Sequence, residues 1–386
     1  MGLNKKISVA LLANTFIDRS ATGTGRVAQK LFEILAVKFS QSVEIKLICD
    51  SNSNFTVINQ LRQLYQFEII KLPKVRFKTF RSAREYFSAR HIISSKIDIV
   101  HFMLPRQYPF FYKFPARHFV STFHAGGDVT APVDKFVLSR HVYNWVGKTQ
   151  NHRLSKIVAV SHLAKKEIAS AYKISPTKID VIPIGTDHLW NLQEIANQEI
   201  KKYILIVGRW QKYKNLEIVL SSIKNNKAFF TKSYKLIILS GQNSKLQKIT
   251  YAEDFFASFS NKEAINLENV TELDLKRLYK HASLVIYPSI NEGFGLPAFE
   301  AFGEGAPILI HTETPAAQYL KGKDGVTVSD LTSNTDNIFA AIKTALVKKN
   351  TNSEDNRRYL KNLGLTWDEM ARSYSTLYQK IINGNH

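Results

Sequence analysis

Residues Asn291 to Gly303 read NEGFGLPAFEAFG, and they place two glutamates, Glu292 and Glu300, eight positions apart across a glycine-rich turn. The preceding LVIYPS, Leu284 to Ser289, is a short apolar run with the character of a buried strand, and Pro297 suits the first turn of a helix. The order is therefore strand, glycine loop, helix. Gly293 and Gly295 allow the backbone to come close to a ligand, and the N–H groups of Phe294 and Leu296 at the helix start favour an anion such as a phosphate. Glu292 falls in the loop and Glu300 about one turn into the helix, so both carboxylates are able to face one cavity and accept hydrogen bonds from hydroxyl groups. Phosphate together with a polyol points to a sugar nucleotide. A plainer reading stands beside it, in which an acidic residue near a helix start merely complements the helix dipole.

A second stretch belongs with the first. KKYILIVGRWQKYKN, Lys201 to Asn215, is a strand ending at Gly208, followed by Arg209 and Lys214 on either side of a short loop before the helix LEIVLSSI. Arginine offers a planar fork of donors and lysine a mobile point charge, a pair suited to a diphosphate. Its alternative is a solvated basic loop.

With both stretches in view, the chain resembles the retaining glycosyltransferases of family 4, a group with the GT-B fold. The resemblance is carried by the E-x7-E spacing of Glu292 and Glu300 and by Arg209 and Lys214 after the first strand of the second domain. VIPIGTD, Val181 to Asp187, is similar to the family's interdomain hinge, and TWDEMARSYSTLYQKI to its closing helix. One departure is TPAAQYL, which has Gln318 where the family often has a glutamate. The resemblance implies an α/β GT-B fold, with two doubly wound Rossmann-like domains facing across a cleft. It places an acceptor-binding domain at 1–187, a nucleotide-sugar-binding domain at 188–366, and at 367–386 a helix crossing back to the first.

Length agrees, because 386 residues suit two domains rather than one. Strands are expected at Ile7 to Leu12, Val43 to Cys49, Ile97 to Met103, Phe119 to Phe123 and Ile157 to Val160. The second half offers Tyr203 to Val207, Lys235 to Leu239, Ala264 to Leu267, Leu284 to Tyr287 and Ile308 to His311.

Charge is distributed unevenly. The formal net charge is +21, and up to His188 there are 28 basic residues against 12 acidic ones. Basicity of this kind bears on partners more than on fold. It concentrates in KLPKVRFKTFRSAREYFSAR, Lys71 to Arg90, where Lys74, Arg76, Lys78, Arg81 and Arg84 are interleaved with Phe77, Phe80, Tyr86 and Phe87. PRQYPFFYKFPARHF, Pro105 to Phe119, repeats the theme. Cations beside rings suit an anionic membrane surface or an anionic acceptor; the alternative is that the rings pack in the core. A nucleic-acid partner is not expected, since no recognition module accompanies the charge.

No apolar run reaches the roughly 20 residues of a membrane-spanning helix. ISVALLANTF reads as the first strand rather than a leader. Cys49 is the single cysteine, which excludes an internal disulfide and suits a reducing compartment. The expected place is the cytoplasm, peripheral on the inner face of the cell membrane.

Two elements of the first half complete the candidate site. Gly23, Gly25 and Ala28 form a G-x-G-x-x-A pattern, yet about ten residues separate it from the preceding strand, whereas a dinucleotide fingerprint starts directly at the strand end. The resemblance places Gly23, Gly25 and Arg26 near the diphosphate and acceptor. In STFHAGGD, His124 follows a strand, and the resemblance sets it beside the transferred sugar. No H-E-x-x-H, paired cysteines or D-x-D occurs, so a metal is not expected. No tightly bound cofactor is expected either, the nucleotide-diphosphate sugar being a co-substrate.

The implied activity is transfer of a hexose-type sugar from that donor, with retention, to a saccharide or lipid-linked saccharide of cell-surface glycan biosynthesis. Arg209, Lys214 and the N–H groups of Phe294 to Leu296 would stabilise the leaving diphosphate. Glu300 would hold the ribose hydroxyls and Glu292 a sugar hydroxyl, neither acting as nucleophile. The alternatives are a GT-B-fold nucleotide-sugar epimerase and a non-catalytic basic binding protein.

Overall fold

A computed structural model describes residues 6–13, 23–51, 53–76, 81–89, 97–104, 108–124, 138–193, 202–241, 250–268 and 270–384. The chain divides into two compact units, Met1–Gly185 with Trp367–His386, and Thr186–Thr366.

The first unit is built on a parallel sheet of β1 (Ile7–Leu12), β2 (Val43–Cys49), β3 (Glu68–Lys71), β4 (Ile97–Phe102), β5 (Ala116–Phe123), β6 (Lys156–Ala159) and β7 (Ile179–Val181), in the order β3-β2-β1-β4-β5-β6-β7. β1 and β4 are buried along their whole length, as central strands covered on both faces must be. The helix Gly23–Lys38 follows β1 in the chain, buries Val27, Leu31 and Leu35, and carries Lys38 paired with Asp368 of the terminal helix Trp367–Ile382. That helix turns Tyr374 and Tyr378 toward β4 and β5. Tyr378 Oη lies 2.7 Å from His101 Nδ1, Thr122 Oγ1 lies 2.8 Å from His101 Nε2, and Tyr374 Oη lies 2.9 Å from Thr122 Oγ1. An apolar helix face and a fully buried polar chain thus join the last residues to the first sheet.

The second unit repeats the plan with β8 (Tyr203–Val207), β9 (Lys235–Leu239), β10 (Ala264–Leu267), β11 (Leu284–Tyr287), β12 (Ile308–His311) and β13 (Val326–Ser329), parallel in the order β10-β9-β8-β11-β12-β13. Ile204, Ile206, Leu236, Ile238, Leu284 and Ile286 form its core with the helices Leu216–Asn225 and Thr335–Leu346.

Seven of the ten expected strands have the expected bounds, and the other three differ by one to three residues at one or both ends. Three strands were not expected: β3, β7 and β13, all at sheet edges, where one side faces away from the sheet and an apolar run is not required. The aromatic residues proposed for a membrane surface need a larger correction. Tyr86 is buried in the first core, its ring stacked nearly parallel to that of Phe114 with the centroids 4.3 Å apart, and Tyr108, Phe111 and Phe119 lie in the same core. Lys74, Arg76 and Arg84 are exposed and Arg81 is half-buried, while Phe77, Lys78 and Phe80 fall outside the described residues.

Candidate functional site

The second sheet changes direction between β8 and β11: β9 and β10 extend one way from β8, and β12 and β13 the other way from β11. In an open parallel sheet the loops leaving the carboxyl ends of such a pair part to opposite sides and leave a crevice for a ligand. Both motifs of the second half leave from these two ends.

After β8, an added Cβ at Gly208 would meet Leu216 Cδ2 at 3.1 Å, so the chain passes close to the following helix. Arg209 comes next, with its Nε 3.6 Å from where a Cβ on Gly241, beyond β9, would stand. Lys212–Lys214 make one tight turn, and Asn215 adopts a left-handed φ of 55°. Its Nδ2 donates to the Leu331 carbonyl at 2.7 Å, which holds that turn in place.

After β11, the Ile290 N–H donates to the Tyr213 carbonyl at 3.0 Å and stitches the two loops together. The buried Ser289 hydroxyl donates to Glu292 Oε1 at 2.7 Å, and the Lys214 ammonium binds the same oxygen. Glu292 and Lys214 are each mostly covered but retain some exposure. Nearby, the Tyr287 hydroxyl is pushed well above its ordinary range, first by burial and then by the Glu292 carboxylate. The result is a cation and a carboxylate fixed at the mouth of the strand pair.

Gly295 caps the helix Leu296–Gly303 with φ of +87°, and an added Cβ would lie 2.9 Å from Thr314 Cγ2. Only glycine meets both conditions without strain. Phe294 is buried with its ring stacked on Phe299, the centroids 4.7 Å apart, which sets the loop against the helix. Gly293 lies between Glu292 and Phe294 in this turn.

Glu300 has a different set of partners. It is 4% exposed; the Tyr279 hydroxyl donates to Oε2 at 2.8 Å, and His188 Nε2 lies 3.2 Å from Oε1. Its carboxylate is thus held by side chains from two other segments of the same unit.

In the first unit, Gly23, Gly25 and Arg26 open the helix after β1, Gly25 buried and Gly23 exposed. His124 follows β5. Its Nε2–H donates to the Met103 carbonyl at 2.8 Å, which leaves Nδ1 as the acceptor of the neutral ring. Burial lowers its pKa to about 4, and lowers that of His101 to about 3, so both rings are neutral at physiological pH. Gly126 and Gly127 lie outside the described residues.

The structure brings Lys214 and Ser289 onto one oxygen of Glu292, with Arg209 on the same loop as Lys214. Sequence reasoning missed Ser289, Tyr279 and His188. Ser289 had a legible signal, a hydroxyl two positions after the strand that leads into the glutamate loop. Tyr279 and His188 had none, because they reach Glu300 from 21 and 112 positions away. Among the described residues, no group of three or more His, Cys, Asp or Glu side chains is placed to hold a metal ion.

Residues 191–362 match the family described as glycosyl transferases group 1, and residues 23–188 match Glycosyltransferase Family 4. The O-antigen chain mannosyltransferase RfbU of Salmonella typhimurium is 30% identical over 178 residues, 46% of this chain and 47% of that protein. The MMP alpha-(1->4)-mannosyltransferase of Mycolicibacterium hassiacum is 22% identical over 258 residues, 62% of this chain and 59% of that protein. The matches span about half the length of these curated relatives. A glycosyltransferase from Rickettsia africae shares the fold with a TM-score of 0.67 at 16% identity, covering 98% of this chain and 99% of that one.

Proposed function

Because the chain belongs to the family 4 glycosyltransferases of group 1, with the GT-B fold, we propose that it moves a hexose-type sugar from a nucleotide-diphosphate sugar to a saccharide or lipid-linked saccharide acceptor. The observation that carries this reading is the pairing of Lys214 and Glu292 at the carboxyl ends of β8 and β11. The lysine suits a diphosphate and the carboxylate a sugar hydroxyl, and they emerge where a parallel sheet takes its ligands.

The bond from the anomeric carbon to the diphosphate oxygen breaks, and negative charge grows on the phosphate. Arg209, Lys214 and the N–H groups of Phe294, Gly295 and Leu296 stabilise that charge. Glu292 orients a hydroxyl of the sugar, Glu300 the ribose, and neutral His124 a further sugar hydroxyl. Gly23 and Gly25 let the backbone approach the donor. The acceptor oxygen attacks from the face the diphosphate leaves, its proton passes to the departing phosphate, and the anomeric configuration is retained. Neither carboxylate becomes glycosylated, unlike the nucleophile of a retaining glycosidase.

The acceptor reading places the protein in cell-surface glycan assembly, working from the cytoplasm at the inner face of the membrane. The mannosyltransferase names of RfbU and the Mycolicibacterium relative make a nucleotide-diphosphate mannose the first donor to try. The test is incubation with UDP-, GDP- and ADP-sugars, with and without a glycan acceptor. Acceptor-dependent release of nucleotide diphosphate with an α-linked product from an α-linked donor is expected. An epimerised nucleotide sugar, or no turnover with any donor, would overturn the proposal.

A further inference from the structure

One pair of rings in the first unit stands at the surface. Phe110 and Trp145 are 44% and 47% exposed, and their ring centroids are 6.3 Å apart in an edge-on arrangement. They come from separate elements, the turn before Phe111–Lys113 and the helix Leu138–Gln150. Phe110 has a left-handed φ of 56°, a conformation a phenylalanine seldom takes. It is held there by its own backbone: the N–H donates to buried Gln150 Oε1 at 2.9 Å, and the carbonyl accepts from the Lys113 N–H at 3.0 Å. The anchoring directs a large apolar ring outward instead of into the core.

Cations surround the pair. Lys113 Nζ is 5.7 Å from the Phe110 ring centroid, and the Arg153 guanidinium is 5.0 Å from that of Tyr112, whose ring lies 6.4 Å from Phe110. Lys148 is exposed one turn from Trp145, and His152 is exposed beside Arg153. Neither 108–124 nor 138–156 contains an aspartate or glutamate. Aromatic rings also stack on sugars, but a sugar platform pairs its rings with carboxylates or amides for the hydroxyls. Here, among the described residues, the charged side chains beside the exposed rings are all basic, and the Gln150 amide oxygen is taken up by the Phe110 N–H. Rings that enter the headgroup layer, ringed by lysine and arginine, match an anionic lipid surface.

We propose that the Phe110–Trp145 face docks the first unit onto anionic lipid, the two rings entering the headgroup region while Lys113, Lys148 and Arg153 meet the lipid charge. The inference rests on the reading of a membrane-held acceptor and gives it a surface. That surface takes Phe110 and Lys113 from the Pro105 to Phe119 stretch read from sequence, adds Trp145, Lys148 and Arg153, and does not rely on the Lys74 to Arg84 stretch.

The test is co-sedimentation of the full chain with vesicles of phosphatidylcholine alone or with added phosphatidylglycerol, at low and high salt. The protein is expected to sediment with the anionic vesicles only, and less at high salt. Phe110→Gly combined with Trp145→Ser should weaken that binding roughly tenfold or more, given the apolar area the two rings contribute. Glycine suits the left-handed φ, so the melting temperature should not fall through that position. A Lys74→Ala, Arg76→Ala, Arg84→Ala chain should keep most of its binding. Trp145 is the most exposed of the four tryptophans, so vesicles should blue-shift the emission of the wild type. Trp145→Phe should bind yet lose the shift. Undiminished binding by the double variant, or equal binding to neutral vesicles, would overturn the proposal. Failure of turnover with every donor would instead sink the transferase reading and leave the vesicle result untouched.

Discussion

At Glu292 a single oxygen accepts from both Lys214 and Ser289, so the carboxylate is fixed before any ligand arrives. Glu292→Gln keeps the shape and removes the charge. Transfer is expected to fall about 10²–10³-fold, in the range seen when a positioned polar group is lost from a transition state, with little change in melting temperature. Full activity in that variant would sink the site assignment. At Gly295 the argument is steric. Gly295→Ala forces a left-handed backbone on a side chain that meets Thr314 and should cost roughly 1–3 kcal/mol in a denaturant titration.

The two buried histidines of the first unit carry a pH prediction. His101 and His124 are held at about 3 and about 4, both below the ordinary histidine value. Between those values and about 6.5 the unfolded chain binds more protons than the folded one, so stability rises with pH across that window and is lost on acidification. Each ring contributes a slope of up to about 1.4 kcal/mol per pH unit there, and nothing above pH 7. Melting temperatures measured from pH 7 down to pH 4.5 should decline; a flat profile would show that neither ring resists protonation. Cys49 adds no such sensitivity, since burial pushes its thiol up to about 12.

Among the elements, legibility followed burial. Central strands such as ISVALL and YILIV were readable because both faces are covered and every position is apolar or small. β3, EIIK, and β7, IDV, are edge strands whose polar residues face outward, and a short half-polar run resembles a loop. The helix Arg81–Ser88 misled for a related reason. Its cations and rings are interleaved in sequence, but the helical turn sends Tyr86 into the core and Arg84 to the surface. The loop carrying Glu292 was legible because glycine, proline and carboxylate each have a defined backbone role. The partners of Glu300 were not, because they depend on packing between distant segments. The terminal helix offers an element-level check. Tyr374→Phe deletes the hydrogen bond to Thr122 and should lower stability by about 0.5–1.5 kcal/mol, with no effect on donor affinity.

For the molecule as a whole, the first unit is discontinuous in sequence and the second is not. Gly185 and Trp367 mark the two places where the chain changes units, and they touch: a Cβ on Gly185 would stand 2.3 Å from the Trp367 nitrogen. Within the second unit, Thr186 donates through both N–H and hydroxyl to the Leu365 carbonyl. A chain ending at Thr366 should keep the second unit intact and expose the first. Hydrogen exchange would show this as lost protection over Ile97–Phe102 with unchanged protection over Leu284–Tyr287. Equal protection in both chains would mean that the helix Trp367–Ile382 is dispensable.

The same discontinuity sets an order of events during synthesis. The ribosome delivers the strands of the first sheet early, yet the tyrosines that lie against His101 and Thr122 emerge after the whole second unit has been made. At about 5–20 residues per second, that wait lasts on the order of ten seconds or more. The half of the protein translated first is therefore the half completed last, and for that interval its sheet lacks the tyrosines that close over His101 and Thr122.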